Sequence, residues 1–512
     1  MVEPDVQAVR ALRADFTDAG YSVDRLTELL GPVPMAALGR EQVLPAVQSA
    51  RAAGSEPTAL LARLFLLGDI LTPAEAEAAL PRLGAEQAQR AGLLSADVHG
   101  LRGAIDLRPI DTPDGAFYLA ADLGEATTGR AVERDHVLGV GGASRTLAEL
   151  TVRRPVHRAL DLGTGSGVQA LNIAPFADQV VATDLAARAL TFARFNAALN
   201  GVELDLREGS MLEPVAGERF DLVVSNPPFV ITPRESGLTE YTYRDGGRRG
   251  DDLVRDLITG VADVLAPAGI AQLLGNWEVH EGEGPFDRIQ QWLADSGLDG
   301  WVIQRESADP AEYAETWLRD GGITPDRDRA AWERGYAAWL ADFEARGVTA
   351  VGFGYVTLHK PNIPDGAASP PQPWHRVEEV TGTLPGAHTG GLWPAVEATL
   401  TAKDALVRLT DTELADHALT VSPDVTEERH YRPGSADPEV IVLRQGGGFG
   451  RTVRADTALA AVVGTCDGDL TVAQIAAGVA ALTGLERDAV LDSVLPDVRG
   501  LVTDGLLRLP RR

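Results

Sequence analysis

The chain has 512 residues, 45% hydrophobic and 23% charged; this ordinary globular usage excludes wholesale disorder, and the length points to about three domains rather than one core. Asp and Glu number 74 against 46 Lys and Arg, a formal net charge of −28, so non-specific capture of a phosphate backbone is opposed and any nucleic acid must meet a local patch. A single cysteine, Cys466, excludes an intramolecular disulfide framework and a cysteine-based zinc cage.

The start, Met1-Val2-Glu3-Pro4-Asp5, is acidic and lacks the basic and apolar regions of a signal peptide. No apolar run approaches the ~20 residues that span a bilayer, so a cytoplasmic chain with no membrane partner is expected. A first domain over 1–125 reads as mostly helical, with Val6, Val9, Leu12 and Phe16 spaced as one buried face. Thr72-Pro73-Ala74-Glu75 combines a capping threonine, proline at the first helical position and a glutamate three residues after the cap, predicting a helix toward Leu80. Stretches 100–107 and 116–121 read as strands around Pro113-Asp114-Gly115. Helices followed by such a ribbon resemble a winged helix.

From Val156 apolar strands alternate with helices, the signature of an α/β, doubly wound domain over 126–365. Seven strands are predicted at 158–162, 179–184, 203–207, 220–225, 269–275, 300–305 and 350–359, the last antiparallel. A helical insertion, 309–346, carries Tyr313, Trp317, Trp332, Tyr336 and Trp339, which either pack the insertion onto the domain or line a substrate groove. Proline and glycine over 366–394 predict a linker. The remainder, 395–512, reads as an α+β, again winged-helix-like domain. Within it Gly446-Gly447-Gly448-Phe449-Gly450 reads as the turn of a hairpin rather than a phosphate cradle, because no Lys-Ser/Thr follows. Thr471-Val472-Ala473-Gln474 starts another helix.

The first strand of the central domain ends in Asp161-Leu162-Gly163-Thr164-Gly165-Ser166-Gly167, a glycine turn opening a helix, where a ligand can lie against bare backbone. A carboxylate at Asp161 suits the amine of an amino-acid ligand and would repel a pyrophosphate. Asp184 closes the next strand and suits ribose hydroxyls. Ser210 and Met211, after the third strand, are placed to meet an adenine edge and face.

Ser225-Asn226-Pro227-Pro228-Phe229 follows the fourth strand. The lone pair of a planar NH2 group is delocalised, so the nitrogen is a poor nucleophile. The Asn226 side-chain oxygen and the Pro227 carbonyl can each accept one N–H, favouring a pyramidal nitrogen whose lone pair faces an electrophilic methyl. Phe229 can stack on the planar group, and the two prolines stiffen the loop.

These residues resemble class I S-adenosylmethionine-dependent methyltransferases over 156–360, with 161–167 as the first motif, Asp184 as the ribose acid and Asn226 to Phe229 as the catalytic tetrapeptide. The resemblance implies a Rossmann-like fold, S-adenosyl-L-methionine as cofactor and methylation of an exocyclic or amide nitrogen. Tyr243-Arg244-Asp245-Gly246-Gly247-Arg248-Arg249-Gly250-Asp251-Asp252 is similar to the stretch after the tetrapeptide in release factor glutamine methyltransferases, although Arg248-Arg249 lengthens and charges it, and family members often carry tyrosine in place of Phe229 and an acid in place of Ser210. A protein glutamine is the acceptor this implies. The competing acceptor is an exocyclic amine of RNA or DNA, supported by the winged-helix-like ends and by Arg153, Arg154, Arg158, Arg244, Arg248 and Arg249. His136 and Ser144 lie in a loop and helix expected over the cofactor, and Trp277-Glu278-Val279-His280 reads as a surface loop without a metal.

Overall fold

The apolar runs from Val156 onward become the strands of one sheet: β1 (Val156–Leu162), β2 (Ala177–Asp184), β3 (Asp205–Glu208), β4 (Phe220–Ser225), β5 (Leu265–His280), β6 (Asp299–Ala308), β7 (Val348–His359) and β8 (His375–Glu379). The computed structural model describes residues 5–234, 241–362, 372–388 and 390–510. The strand order is β8-β6-β7-β5-β4-β1-β2-β3, eight strands where the sequence suggests seven. β7 runs antiparallel to both neighbours and the other pairs are parallel.

The added strand lies inside 366–394, predicted as linker; part of that stretch, 366–371 and 389, falls outside the described residues. β8 pairs from Gly300↔His375 to Gln304↔Glu379. Its sequence, His375-Arg376-Val377-Glu378-Glu379, shows no apolar alternation because side-chain bonds hold it: Trp301 Nε1 donates to Glu378 at 2.7 Å and Gln304 Nε2 to Glu379 at 3.1 Å. An edge strand needs little apolar surface, and composition therefore misses it.

Right-handed crossovers leave β1 in both directions, which places the helices after β1 and β2 on one face and those after β4 and β5 on the other. Burial agrees. Leu160, Leu162, Val181 and Val223 pack with Val254, Leu257, Ile289 and Leu293, whereas Phe192 and Phe195 pack with Phe16, Tyr21 and Phe65. The insertion forms two helices, α1 (Pro310–Asp320) and α2 (Arg329–Arg346).

The chain divides into two compact units, one of 1–148, 154–362 and 373–379, the other of 149–153, 363–372 and 380–512. The N-terminal 125 residues thus fall in the same unit as the sheet. Asn196 and Asn200, on the helix after β2, bond to the backbone of Ala120 and Tyr118, fixing the hairpin Asp106–Thr112/Gly115–Ala121 on that helix. Earlier, strands Ile70–Leu71, Gly100–Gly103 and Leu94–Asp97 form a small sheet in that order. Val9, Leu12 and Phe16 are buried, but Val6 is 60% exposed and does not belong to their face: it is the first residue of its helix.

Thr72 and Glu75 make both bonds of a capping box, Glu75 N–H to Thr72 Oγ1 at 3.2 Å and Thr72 N–H to Glu75 Oε2 at 2.8 Å. Replacing Thr72 with alanine should cost ~1 kcal/mol, read as a lower urea midpoint at unchanged slope.

In the second unit, helices Trp393–Leu406, Thr457–Thr465, Val472–Thr483 and Arg487–Thr503 enclose a core with Leu443, Val463, Ile475 and Val498. The hairpin around the glycine run forms between Val440–Gln445 and Thr452–Ala455, and Asp424 accepts from the N–H groups of Gly446 and Gly447. Those donors are committed to the turn. A three-stranded meander precedes the three C-terminal helices, and after them Leu507–Arg508 pairs back with Thr420–Val421. Among the described residues, no helix is long and apolar enough to cross a membrane.

Candidate active site

Outside the carboxyl ends of β1 to β4 lies a cavity of about 250 Å3, at the point where the strand order reverses between β1 and β4, the usual ligand crevice of an open α/β sheet. Gly163, Thr164, Gly165, Ser166, Asp184, Ser210, Met211, Asn226, Pro227 and Pro228 all line it. Asp161, Gly167 and Phe229 do not.

Gly163 and Gly165 have φ of 72° and 55°, and a Cβ added to either would meet no atom within 4 Å. The backbone there is bare and open, as a ligand lying against it requires. The turn is tied to the end of β2: Gly163 and Thr164 N–H donate to Thr183 O at 2.9 Å, and Gly165 N–H to Asp184 Oδ2 at 2.9 Å. Asp184 Oδ1 accepts from Ala186 N–H at 2.8 Å. Burial raises the pKa of this carboxyl, against the pull of its backbone donors.

Asp161 departs from its expected role. It is 1% exposed, and its Oδ2 accepts from Thr164 Oγ1 at 2.6 Å and Ala170 N–H at 2.9 Å. Burial pushes its pKa up to about 7. The side chain lies under the start of the helix Val168–Ile173 and fixes the turn from behind instead of presenting itself to a ligand amine. Gly167, φ 89°, sits at that helix start with Ala193 against it.

Asn226 Oδ1 is buried and has no hydrogen-bond partner among the described residues. An acceptor held this way costs roughly 1–3 kcal/mol, which makes sense where a ligand supplies the donor. Ser225 Oγ donates to Leu162 O at 2.7 Å, pinning the loop to β1. Phe229 is the second departure: its ring meets Trp317 edge-on, with centroids 6.4 Å apart, and packs among the insertion's aromatics. The ring is partly buried between that cluster and the sheet core and does not line the cavity. Tyr313 and Trp339 are buried and Trp317, Trp332 and Tyr336 partly so, which favours packing for the insertion's aromatics.

Several lining residues carry no motif of their own. Gln169 Nε2 donates to Ser144 O at 2.8 Å, while its buried Oε1 lacks a partner among the described residues; a glutamine on the otherwise apolar first turn after 161–167 is the available signal. Ser166 Oγ donates to Leu138 O at 2.8 Å, bringing the 135–139 loop over the cavity. His136 lines the cavity, 3.8 Å from Asp122, and burial lowers its pKa. Tyr243, Asp245, Gly246, Gly247 and Arg248 line it as well. A Cβ on Gly246 would come within 2.7 Å of Pro228 O, so only glycine allows this segment to lie against the tetrapeptide.

The six arginines do not make a strip. Arg158 pairs with Glu218 at 2.5 Å toward the amino end of β1, and Arg154, just before β1, donates to Ala268 O at 2.6 Å, both away from the carboxyl-end cavity. Arg244 is buried and donates to Trp317 O at 3.0 Å and Asp320 at 2.5 Å. Arg153 falls in the other unit. Arg248 lines the cavity, and Arg249 beside it is exposed. Residues 277–280 are also not a surface loop: they complete β5, with Trp277 and Glu278 buried and Glu278 paired with Arg346 and His280.

Residues 139–278 match the model of the methyltransferase small domain. Residues 18–104 and 400–509 match two domains of unknown function, DUF7059 and DUF7782. The release factor glutamine methyltransferase of Geobacter sulfurreducens is 38% identical over 138 residues, 25% of this chain and 48% of that protein. That of Xylella fastidiosa is 40% identical over 150 residues, 26% of this chain and 54% of that protein. The ribosomal protein uL3 glutamine methyltransferase of Bordetella pertussis is 36% identical over 171 residues, 30% of this chain and 57% of that protein. The chain thus spans about half the length of the curated relatives it matches. Its central part is a methyltransferase domain of the S-adenosylmethionine-dependent kind.

Proposed function

We propose that the chain is an S-adenosylmethionine-dependent N-methyltransferase whose acceptor is the side-chain amide of a protein glutamine. The observation that carries this reading is the buried Asn226 Oδ1, without a partner among the described residues, in the cavity that the glycine turn also lines. When bound, the cofactor supplies an electrophilic methyl on a sulfonium. The open backbone at Gly163 and Gly165 gives room for its chain, and Asp184 offers carboxylate oxygens to the ribose. Ser210 and Met211 border the adenine side.

Asn226 Oδ1 and the Pro227 carbonyl each take one N–H of the acceptor amide. Holding both protons in place turns the nitrogen lone pair toward the methyl, and alignment then supplies most of the acceleration. The methyl would leave the sulfonium, which becomes a neutral thioether, as the N–C bond forms, and the nitrogen would then lose its proton to water, so no strong base is required beside Asn226.

The glutamine acceptor is supported by similarity to enzymes named for that residue in a release factor and in ribosomal protein uL3. A nucleic-acid acceptor has less to rest on, since Arg154, Arg158 and Arg244 are spent away from the cavity. The flanking parts, winged-helix-like at the N-terminal end in having a helix–strand–helix–helix–hairpin order, are proposed to select the protein partner in the cytoplasm.

Incubating the protein with methyl-labelled S-adenosylmethionine and whole-cell lysate tests this. Label should enter protein as N-methylglutamine, stable to the mild base that removes methyl esters and released as methylamine on acid hydrolysis, and initial rates should change less than about twofold between 50 and 200 mM salt; a nucleic-acid acceptor held by several phosphate contacts would lose orders of magnitude over that range. Label in RNA or DNA, or no cofactor binding by calorimetry, would refute the reading.

A further inference from the structure

The helical insertion meets the tetrapeptide at Phe229 and makes polar contacts with the segments that follow and flank it, which core packing alone does not require. Tyr313 of α1 is fully buried, and its hydroxyl oxygen accepts the backbone N–H of Ile231 at 3.0 Å and Asn276 Nδ2–H at 2.8 Å. Its ring is fixed by Trp339, Phe343 and Phe353, with centroids 5.5, 5.6 and 5.5 Å away. One turn on, Trp317 holds Phe229 edge-on, and its carbonyl accepts from Arg244 at 3.0 Å. Arg244 O in turn accepts the N–H of Val230 at 2.8 Å. At the end of the helix Tyr243 and Tyr241 donate to Asp320 and Gly321 O, each at 3.2 Å. The loop after β4 and the glycine segment lying on it are therefore bound to the same helix.

We infer that α1 is the positioning element of the Asn226 loop, with Tyr313 as the positioning residue that fixes the loop's far end through the Ile231 amide. This rests on the reading of Asn226 as the group that holds the acceptor nitrogen. Ser225 anchors the loop where it leaves the sheet and Ile231 where it ends, so the prolines between them are held at both sides. An alignment-driven transfer is sensitive to this, since a displacement of ~1 Å costs about a hundredfold in rate.

Tyr313→Phe in the full chain removes the hydroxyl and keeps the ring. The amide of Ile231 should then exchange with deuterium at least about tenfold faster, because its acceptor is gone. The maximal initial rate of label transfer from S-adenosylmethionine into lysate protein should fall about ten- to a hundredfold, while calorimetric cofactor affinity stays within about twofold. Trp317→Leu leaves the phenol and frees Phe229; it should lower the rate in the same way and keeps the test standing if Tyr313→Phe does not fold. Trp332→Leu, whose ring stacks on Tyr336 away from the loop, should change neither exchange at Ile231 nor rate. Wild-type exchange and rate in Tyr313→Phe would overturn the inference. Absence of cofactor binding by the wild-type protein would instead sink the methyltransferase reading, and the exchange result would still decide whether Tyr313 fixes the loop.

Discussion

Replacing Asn226 with alanine is expected to lower the transfer rate roughly a hundred- to a thousandfold, about 3–4 kcal/mol, the size seen when one preorganised polar group is removed from a reacting centre. Calorimetric affinity for S-adenosylmethionine should change less than about threefold, because the glycine turn and Asp184 are untouched. The Asn226 Oδ1 is buried and has no hydrogen-bond partner among the described residues. In the free protein that oxygen costs stability, so deleting it should leave the melting temperature unchanged or slightly raised. This sign separates an acceptor kept for a ligand from an ordinary structural asparagine, whose loss would destabilise. Asn226→Asp keeps an acceptor in nearly the same place but adds a charge to desolvate, and should recover little activity. If Asn226→Ala transferred label at the wild-type rate, the acceptor role would be wrong. A drop matched by lost cofactor affinity would move the residue to the cofactor side.

How far these roles were legible in the sequence depended on whether backbone or side-chain direction decided them. The placement of the glycine turn, Asp184 and Asn226 around one cavity was legible because each needs a strand end plus a residue type, and strand ends follow from apolar runs bounded by glycine and proline. Asp161 stands at the expected strand end, but its side chain does not line the cavity. Direction at a strand terminus depends on what the following helix offers, and here Ala170 N–H and Thr164 Oγ1 capture the carboxylate. Phe229 was misdirected for the same kind of reason: its partner, Trp317, lies 88 residues on in an insertion whose docking no local pattern reveals. The arginines illustrate the limit most clearly. Sequence proximity put Arg158 near the motif, yet it sits toward the amino end of β1, away from the cavity at the carboxyl end. β8 escaped because it offers one apolar side chain, Val377, to the core and is otherwise held to β6 by hydrogen bonds from the Trp301 indole and the Gln304 amide to Glu378 and Glu379.

Asp184→Ala should produce the reverse of the Asn226 result, and by a larger margin in binding. The carboxylate does two jobs in the free protein, accepting from Gly165 N–H and Ala186 N–H at 2.9 and 2.8 Å. Hydrogen bonds to a charged acceptor contribute about 1.5–3 kcal/mol each. Removing it should raise the S-adenosylmethionine Kd at least about a hundredfold, or 2.7 kcal/mol, and should also lower the melting temperature, since Gly165 loses the bond that ties the turn to β2. The conservative Asp184→Asn variant divides these effects. Its remaining carbonyl can hold Gly165 or Ala186, so stability should recover more than affinity for the ribose does. Saturating cofactor should restore much of the transfer rate in Asp184→Asn, because the Asn226 loop is intact; no cofactor concentration should restore it in Asn226→Ala. Equal rescue in the two variants would mean that the cavity does not divide into a cofactor side around Asp184 and an acceptor side around Asn226, and the assignment of both residues would have to be withdrawn.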